Sequence, residues 1–320
     1  MFRTVLVPLD GSELAERALP YAVSLAKPGR AKVVLVRVAL PPAPVILDGA
    51  TLEHDQAEAI DEAEQYVAGV AEKLRTVVPV ETSVRYGRAA AGIIESINQD
   101  TPDAVVMATH GRTGLAHLLV GSVAEAVIAD SSVPVFTIYA QPGELPAPPF
   151  DPTEARVVVP LDGSDFAEAA LPTVVDLIGT GGELVLVTVV EPPQQLLPDE
   201  FGNVLAYLDQ QQESLTREAR GYLAGVQAKI LEKYPRARIS TEVRVGTAAT
   251  GVIVAAADRV ADLVVMASHG RTGVRRAVFG SVTGTVLREG STPVLVVHPR
   301  ATSQPTAARQ PIDERMAIHF

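Results

Sequence analysis

The chain contains one sequence written twice. VLVPLDGSELAERALP at 5–20 returns as VVVPLDGSDFAEAALP at 157–172, and MATHGRTG at 107–114 returns as MASHGRTG at 266–273. Asp10 and Asp162 stand 152 residues apart and Gly111 and Gly270 stand 159 apart, so the later copy carries about seven additional residues, mostly around 194–203. Solenoid units run to roughly 20–50 residues, so a period this long indicates duplicated domains. The 320 residues divide accordingly into a first domain at 1–140, a linker at 141–154, a second domain at 155–298 and a loose tail at 299–320. Pro142, Pro146, Pro148, Pro149 and Pro152 make the linker stiff and extended.

Each copy alternates short β-branched runs with helix-length segments. In the first, 4–9, 32–39, 80–86, 104–108 and 133–139 read as buried strands. Between them, 13–26, 52–77, 89–98 and 121–129 read as helices, with Pro20 a weak point in the first. Strands joined by helical crossovers require a parallel sheet covered on both faces, and the second copy repeats the order. Composition agrees: 47% of residues are apolar but only 4% aromatic, with no Trp. Burial therefore falls to Val, Leu, Ile and Ala, the residues of parallel strands.

Lys and Arg number 27 against 38 Asp and Glu, a net charge of −11 with no concentrated basic patch. Such a chain repels a nucleic-acid backbone. The absence of Cys excludes disulfides, thiolate nucleophiles and thiolate metal ligands. The opening apolar run is broken by Asp10 too early for a secretory signal, and no later run reaches the length of a membrane span. A cytoplasmic location is the expectation.

The residues marked by the duplication carry phosphate-binding chemistry. Gly111, Arg112 and Gly114 precede Gly121-Ser122-Val123; Gly270, Arg271 and Gly273 precede Gly280-Ser281-Val282. Glycines let backbone approach phosphate oxygens, and a helix starting at Gly121-Ser122 or Gly280-Ser281 offers free N–H groups to an anion. Nine residues separate Gly111 from Gly121, and nine separate Gly270 from Gly280.

This spacing, with the VPLDGS segments, resembles the universal stress protein domain over nearly the whole of both copies. The resemblance implies two tandem five-stranded α/β domains of the adenine-nucleotide-binding, Rossmann-like type, with strand order 3-2-1-4-5. In such a sheet the order reverses between the first and fourth strands, where ligands bind. It further implies ATP as ligand, with or without Mg²⁺, one site per domain, and a regulatory role in stress adaptation. Asp10 and Asp162 match the family's acidic position near the ribose. Val38 and Val189 match the strand end whose backbone holds the adenine edge. Both copies depart from the family pattern at its first glycine, where Ala108 and Ala267 stand. Homo-oligomeric relatives pair through fifth strands, so 133–139 and 293–297 are expected to pair within this chain as an intramolecular pseudo-dimer. A further homodimer and the identity of any protein partner stay open.

Plainer readings stand beside these. Asp10-Gly11 and Asp162-Gly163 suit turns into helices capped by Ser12 and Ser164. Ser122-Val-Ala-Glu125 has the form of a capping box, whereas position 284 is Gly and leaves Ser281 without one. His110 and His269 suit loop packing, and Arg275 and Arg276 suit solvated loop charges. No GxxxxGK[ST] is present, since none of the five lysines follows a glycine, and no kinase catalytic loop, GxSxG elbow, HExxH helix or EF-hand occurs. Binding without efficient turnover is the expected function. A slow ATP phosphohydrolase or phosphotransferase, and a pseudo-dimeric scaffold that binds no nucleotide, are the alternatives.

Overall fold

The computed structural model describes residues 2–41, 49–109, 121–139, 150–192, 204–268 and 280–298. The glycine loops, most of the linker, the additional residues around 194–203 and the tail lie outside them. The chain divides into two compact units. The first takes in Met1–Pro152 together with Leu287–His298, and the second takes in Thr153–Ser268 with Phe279–Val286.

In the first repeat the order is β1 (Thr4–Leu9), α1 (Glu13–Glu16), α2 (Ala18–Ala26), β2 (Lys32–Ala39), α3 (Gly49–Leu74), β3 (Val80–Tyr86), α4 (Ala89–Asp100), β4 (Ala104–Ala108), α5 (Ser122–Asp130) and β5 (Val135–Ile138). The second repeat gives β6 (Arg156–Pro160), α6 (Asp165–Glu168), α7 (Leu171–Ile178), β7 (Glu183–Val190), α8 (Val204–Lys233), β8 (Arg238–Val245), α9 (Ala248–Asp258), β9 (Leu263–Ala267), α10 (Ser281–Glu289) and β10 (Val294–Val297).

The first repeat's strands lie in the order β3-β2-β1-β4-β5, all parallel. Val5 sits opposite Val33 on one side and Ala104 on the other. Within the second unit the order is β8-β7-β6-β9, again parallel. Val5, Leu6, Val7, Val105 and Val106 are fully buried, as are Val157, Val158, Val185 and Leu186. Burial on both faces is what a sheet sandwiched between helices requires.

The segment expected to form one helix at 13–26 forms two, meeting at Arg17. Pro20 has no N–H for the carbonyl of Glu16, so the helical ladder stops there. Pro172 stands in the same relation to Glu168, where α6 ends. The last residues of the linker are packed as well: Phe150 is buried, its ring 5.6 Å from Phe136 and 6.1 Å from Tyr21.

The expected pairing of the two fifth-strand segments is present, and it is antiparallel. Val294 faces Thr137, Leu295 faces Phe136 and Val296 faces Val135. The Thr137 hydroxyl donates to the Val294 carbonyl at 2.9 Å.

Candidate functional site

In the first unit the carboxyl ends of β1 and β4 meet where the strand order reverses. β1 runs into Asp10, whose Oδ1 accepts from the Ser12 amide at 2.9 Å and the Ser12 hydroxyl at 2.5 Å. Ser12 in turn accepts from the Ala15 amide at 3.1 Å, capping α1. Gly11 between them takes φ +82°, open to glycine at little cost. The plainer reading of this segment as a capped turn therefore holds, and the same turn sets Asp10 on the wall of the crevice.

The opposite wall is α5. Gly121 donates its amide to the Thr109 carbonyl at 2.8 Å and is the helix N-cap, at φ −57° and ψ 140°. Ser122 is thereby the first helical residue, and the capping box expected of Ser122 and Glu125 does not form. The extended ψ at Gly121, held by Thr109, moves the helix start one residue beyond the serine position a box needs. The first intrahelical bond runs from the Glu125 amide to the Gly121 carbonyl at 2.9 Å. The amides of Ser122, Val123 and Ala124 thus have no turn of helix before them to bond, and they form the positive end of the helix dipole.

The floor comes from β2 and α4. Val38 is buried, and a Cβ added at Gly92 of α4 would lie 2.9 Å from its Cγ2. Asp10, Val38, Ile93, Met107, Ala108, Gly121, Ser122 and Val123 all line one crevice of about 360 Å³. That volume falls inside the roughly 300–1,000 Å³ of small-molecule sites, so the Ala108 methyl does not fill the space.

Beneath the Asp10–Gly11 turn lies Arg37, also a lining residue. Its Nη1 stands 3.4 Å from the Leu9 carbonyl, and its guanidinium carbon 5.5 Å from the centre of the Tyr66 ring. The Tyr66 hydroxyl donates to Glu16 at 2.9 Å. Burial first, and then the Glu16 carboxylate, push the Tyr66 phenol well above its ordinary value. It is neutral at physiological pH and unsuited to act as a base.

The second unit rebuilds the same parts. Asp162 accepts from the Ser164 amide at 2.9 Å and hydroxyl at 2.5 Å, Ser164 caps α6 through the Ala167 amide, and Gly163 takes φ +86°. Val189 is buried under Gly251, where an added Cβ would lie 2.6 Å from its Cγ2. Tyr222 donates to Glu168 at 3.1 Å, and burial with that carboxylate raises its phenol too. Gly280 precedes α10, which opens with Ser281 and the buried Val282. Thr188 takes the place of Arg37, its hydroxyl donating to the Leu161 carbonyl at 2.9 Å.

Of the residues expected at the sites, Gly111, Arg112, Gly114, Gly270, Arg271 and Gly273 lie outside the described residues, as do His110, His269, Arg275 and Arg276. Sequence reasoning missed Arg37, Gly92 and Gly251. The two glycines had a signal: Ala-Ala-Ala-Gly92 and Ala-Ala-Thr-Gly251 recur at matching helix positions, where glycine costs about 1 kcal/mol relative to alanine unless packing requires it. Among the described residues there is no group of three or more His, Asp or Glu placed to hold a metal ion. No described helix is long and apolar enough to cross a membrane.

Fold and crevice together define a tandem α/β protein whose candidate ligand sites lie at the switch point of a parallel sheet. The chain belongs to the universal stress protein family: the Universal stress protein family profile matches residues 1–138 and again 155–298. It is 30% identical over 249 residues to Universal stress protein Rv2005c of Mycobacterium tuberculosis, covering 74% of this chain and 77% of that protein. A universal stress protein of Mycolicibacterium smegmatis is 27% identical over 312 residues, 92% of this chain and 97% of the relative. Among solved structures, a universal stress protein from Archaeoglobus fulgidus shares the fold with a TM-score of 0.67 at 22% identity, across 93% of this chain and 99% of that one.

Proposed function

We propose that each repeat binds one adenine nucleotide, ATP foremost, and that the chain is a cytoplasmic, nucleotide-responsive regulatory protein of stress adaptation without efficient catalysis. The observation that carries this reading is the first crevice. An acidic group for a ribose (Asp10), an apolar bed for a base (Val38) and a helix start whose amides have no intrahelical partner, for phosphate (Ser122, Val123), converge on one cavity. The helix entrance is packed closely on the protein's own backbone, where a Cβ at Gly121 would lie 2.8 Å from the Thr109 carbonyl oxygen. Adenine would rest on apolar strand ends, since aromatics are too sparse for a stacking platform. Asp10 and Asp162, each engaged by a serine, position rather than activate, and the raised phenols of Tyr66 and Tyr222 supply no base.

Mass spectrometry of small molecules released from the purified, denatured protein should detect adenine nucleotide. Titration calorimetry with ATP should give a stoichiometry near two per chain; a value near one would overturn the assignment of a site to each repeat. ATP turnover should stay below about 1 s⁻¹, the low end of ordinary enzyme rates. Faster hydrolysis by protein free of contaminating ATPase would reject the regulatory reading.

A further inference from the structure

The two repeats share the turn acid, the buried valine and the glycine-serine helix start, and they differ in charge at the second strand: Arg37 stands where the second repeat has Thr188, and Leu40, which lines the first crevice, stands where it has Glu191. In both, the carbonyl at the carboxyl end of the first strand, Leu9 in β1 or Leu161 just past β6, is met by a side chain from the second strand. In the first unit that side chain is Arg37, with Nη1 at 3.4 Å; in the second it is Thr188, with Oγ1 at 2.9 Å. The surrounding Tyr–Glu pairs are the same, Tyr66 with Glu16 and Tyr222 with Glu168, and the acidic Glu191 at the Leu40 position shifts the second site's charge in the same direction as the loss of Arg37. The second unit does hold a cation in this region, but Lys229 pairs with Glu168 at 3.7 Å from a side chain 70% exposed. Solvent screens such a charge.

Arg37 is held in place on several sides. The ring of Tyr66 lies under it, the Leu9 carbonyl beside it, and both Nη atoms stand 3.4 Å from where a Cβ on Gly11 would be. A guanidinium fixed in this way beneath the Asp10 turn lowers the negative potential of the first crevice. Thr188 fills the same place with no charge to set against the Asp162 carboxylate.

Resting on the nucleotide reading above, we infer that the two sites are unequal, and that Arg37 makes the first repeat the preferred site for a nucleoside polyphosphate while the second discriminates less by phosphate charge. Arg37 is a specificity-determining residue, acting through the field it places across the crevice. A ligand's affinity for the first site rises with its negative charge, and salt weakens that preference.

The test uses the full chain with ATP and adenosine as probes. Calorimetric titration of ATP should resolve two classes of site differing by about fivefold or more, the scale of one partly screened charge acting on a triphosphate. Arg37→Gln should bring the tighter class down to the weaker one while adenosine binding changes less than about twofold. Arg37→Lys, which keeps the charge, should retain the separation, and Thr188→Arg should strengthen the weaker class. Equal affinities for ATP in the wild-type chain would overturn the inference. So would an Arg37→Gln variant that loses adenosine as much as ATP, because that marks a structural role for the guanidinium. In both of those outcomes nucleotide still binds and the proposed function survives; binding of neither probe at either site would instead overturn the proposed function, and this inference with it.

Discussion

Gly121 and Gly280 hold the same place in the two repeats and have different surroundings. A Cβ on Gly121 would press to 2.8 Å on the carbonyl oxygen of Thr109, a backbone atom with no rotamer to escape into, whereas no described atom comes within 4 Å of one on Gly280. Gly121→Ala should therefore destabilise the protein by about 1–3 kcal/mol, the cost of inserting a methyl group into a packed site, while Gly280→Ala should stay within about 0.5 kcal/mol. Equilibrium urea denaturation of the two variants checks the difference, and equal losses would remove the argument. Binding divides along another line. On the proposed nucleotide reading, valine at either glycine disturbs the helix start assigned to phosphate, and each change should weaken ATP at its own site by about tenfold or more, or 1.4 kcal/mol. That Asp10, Val38 and Gly121 share one crevice was legible in the sequence because strand ends and a helix start converge where the strand order reverses. Arg37 was not, because a single charged residue inside an apolar run gives no sign of which strand carbonyl it will meet.

At the scale of elements, four of the first repeat's strands fall where the sequence places them: β1 and β4 are apolar runs, β2 is one interrupted only by Arg37 after its opening Lys32, and β3 alternates apolar or β-branched residues with polar ones. The fifth is shorter than 133–139 because a side chain competes for its backbone. The Ser131 hydroxyl accepts from the Val133 amide at 3.2 Å and donates to the Val133 carbonyl at 2.7 Å, and Pro134 brings no N–H, so the strand begins at Val135, with the Pro134 carbonyl accepting from the Val105 amide at 2.9 Å. Helix boundaries were less legible for a similar reason. Pro20 marked the weak point, but the break falls at Arg17, three residues earlier, where the proline's missing donor is felt. Once formed, β5 holds β10 through the main-chain ladder and through one buried side-chain bond. Thr137 is 2% exposed and its hydroxyl reaches the Val294 carbonyl at 2.9 Å. Thr137→Val keeps the shape and the β-branch but removes the donor. It should cost about 1 kcal/mol, the net value of one such bond, read as a lower urea midpoint with an unchanged slope. A midpoint equal to wild type would mean that the hydroxyl contributes nothing to the pairing.

The end of the second repeat belongs to the compact first unit, and this gives the stability of the molecule a dependence on pH that neither repeat's motifs announce. Beyond β10, the His298 ring reaches back to α5, with Nε2 2.6 Å from the Ile128 carbonyl. A carbonyl only accepts, so Nε2 carries the proton and the neutral ring leaves Nδ1 bare. Nδ1 is buried with no hydrogen-bond partner among the described residues. Protonating it would create a buried donor facing no acceptor, and burial holds the His298 pKa below the ordinary imidazole value. The carboxyl end of α5 would by itself favour a cation, but desolvation prevails. Because the folded pKa is the lower one, the unfolded chain takes up this proton first as pH falls. The contribution of His298 to stability is thus complete above the unfolded value of about 6.5 and declines as pH drops from there toward the lower folded pKa. Melting temperature should be nearly level from pH 8 to about 7 and should fall on acidification below about 6.5. His298→Gln keeps an amide N–H for the Ile128 carbonyl and cannot titrate, so its melting temperature should fall less between pH 7.5 and 5.5 than that of the wild type. The other five histidines are common to both proteins and cancel in the comparison. Parallel declines in the two proteins would show that His298 takes no part in the acid response.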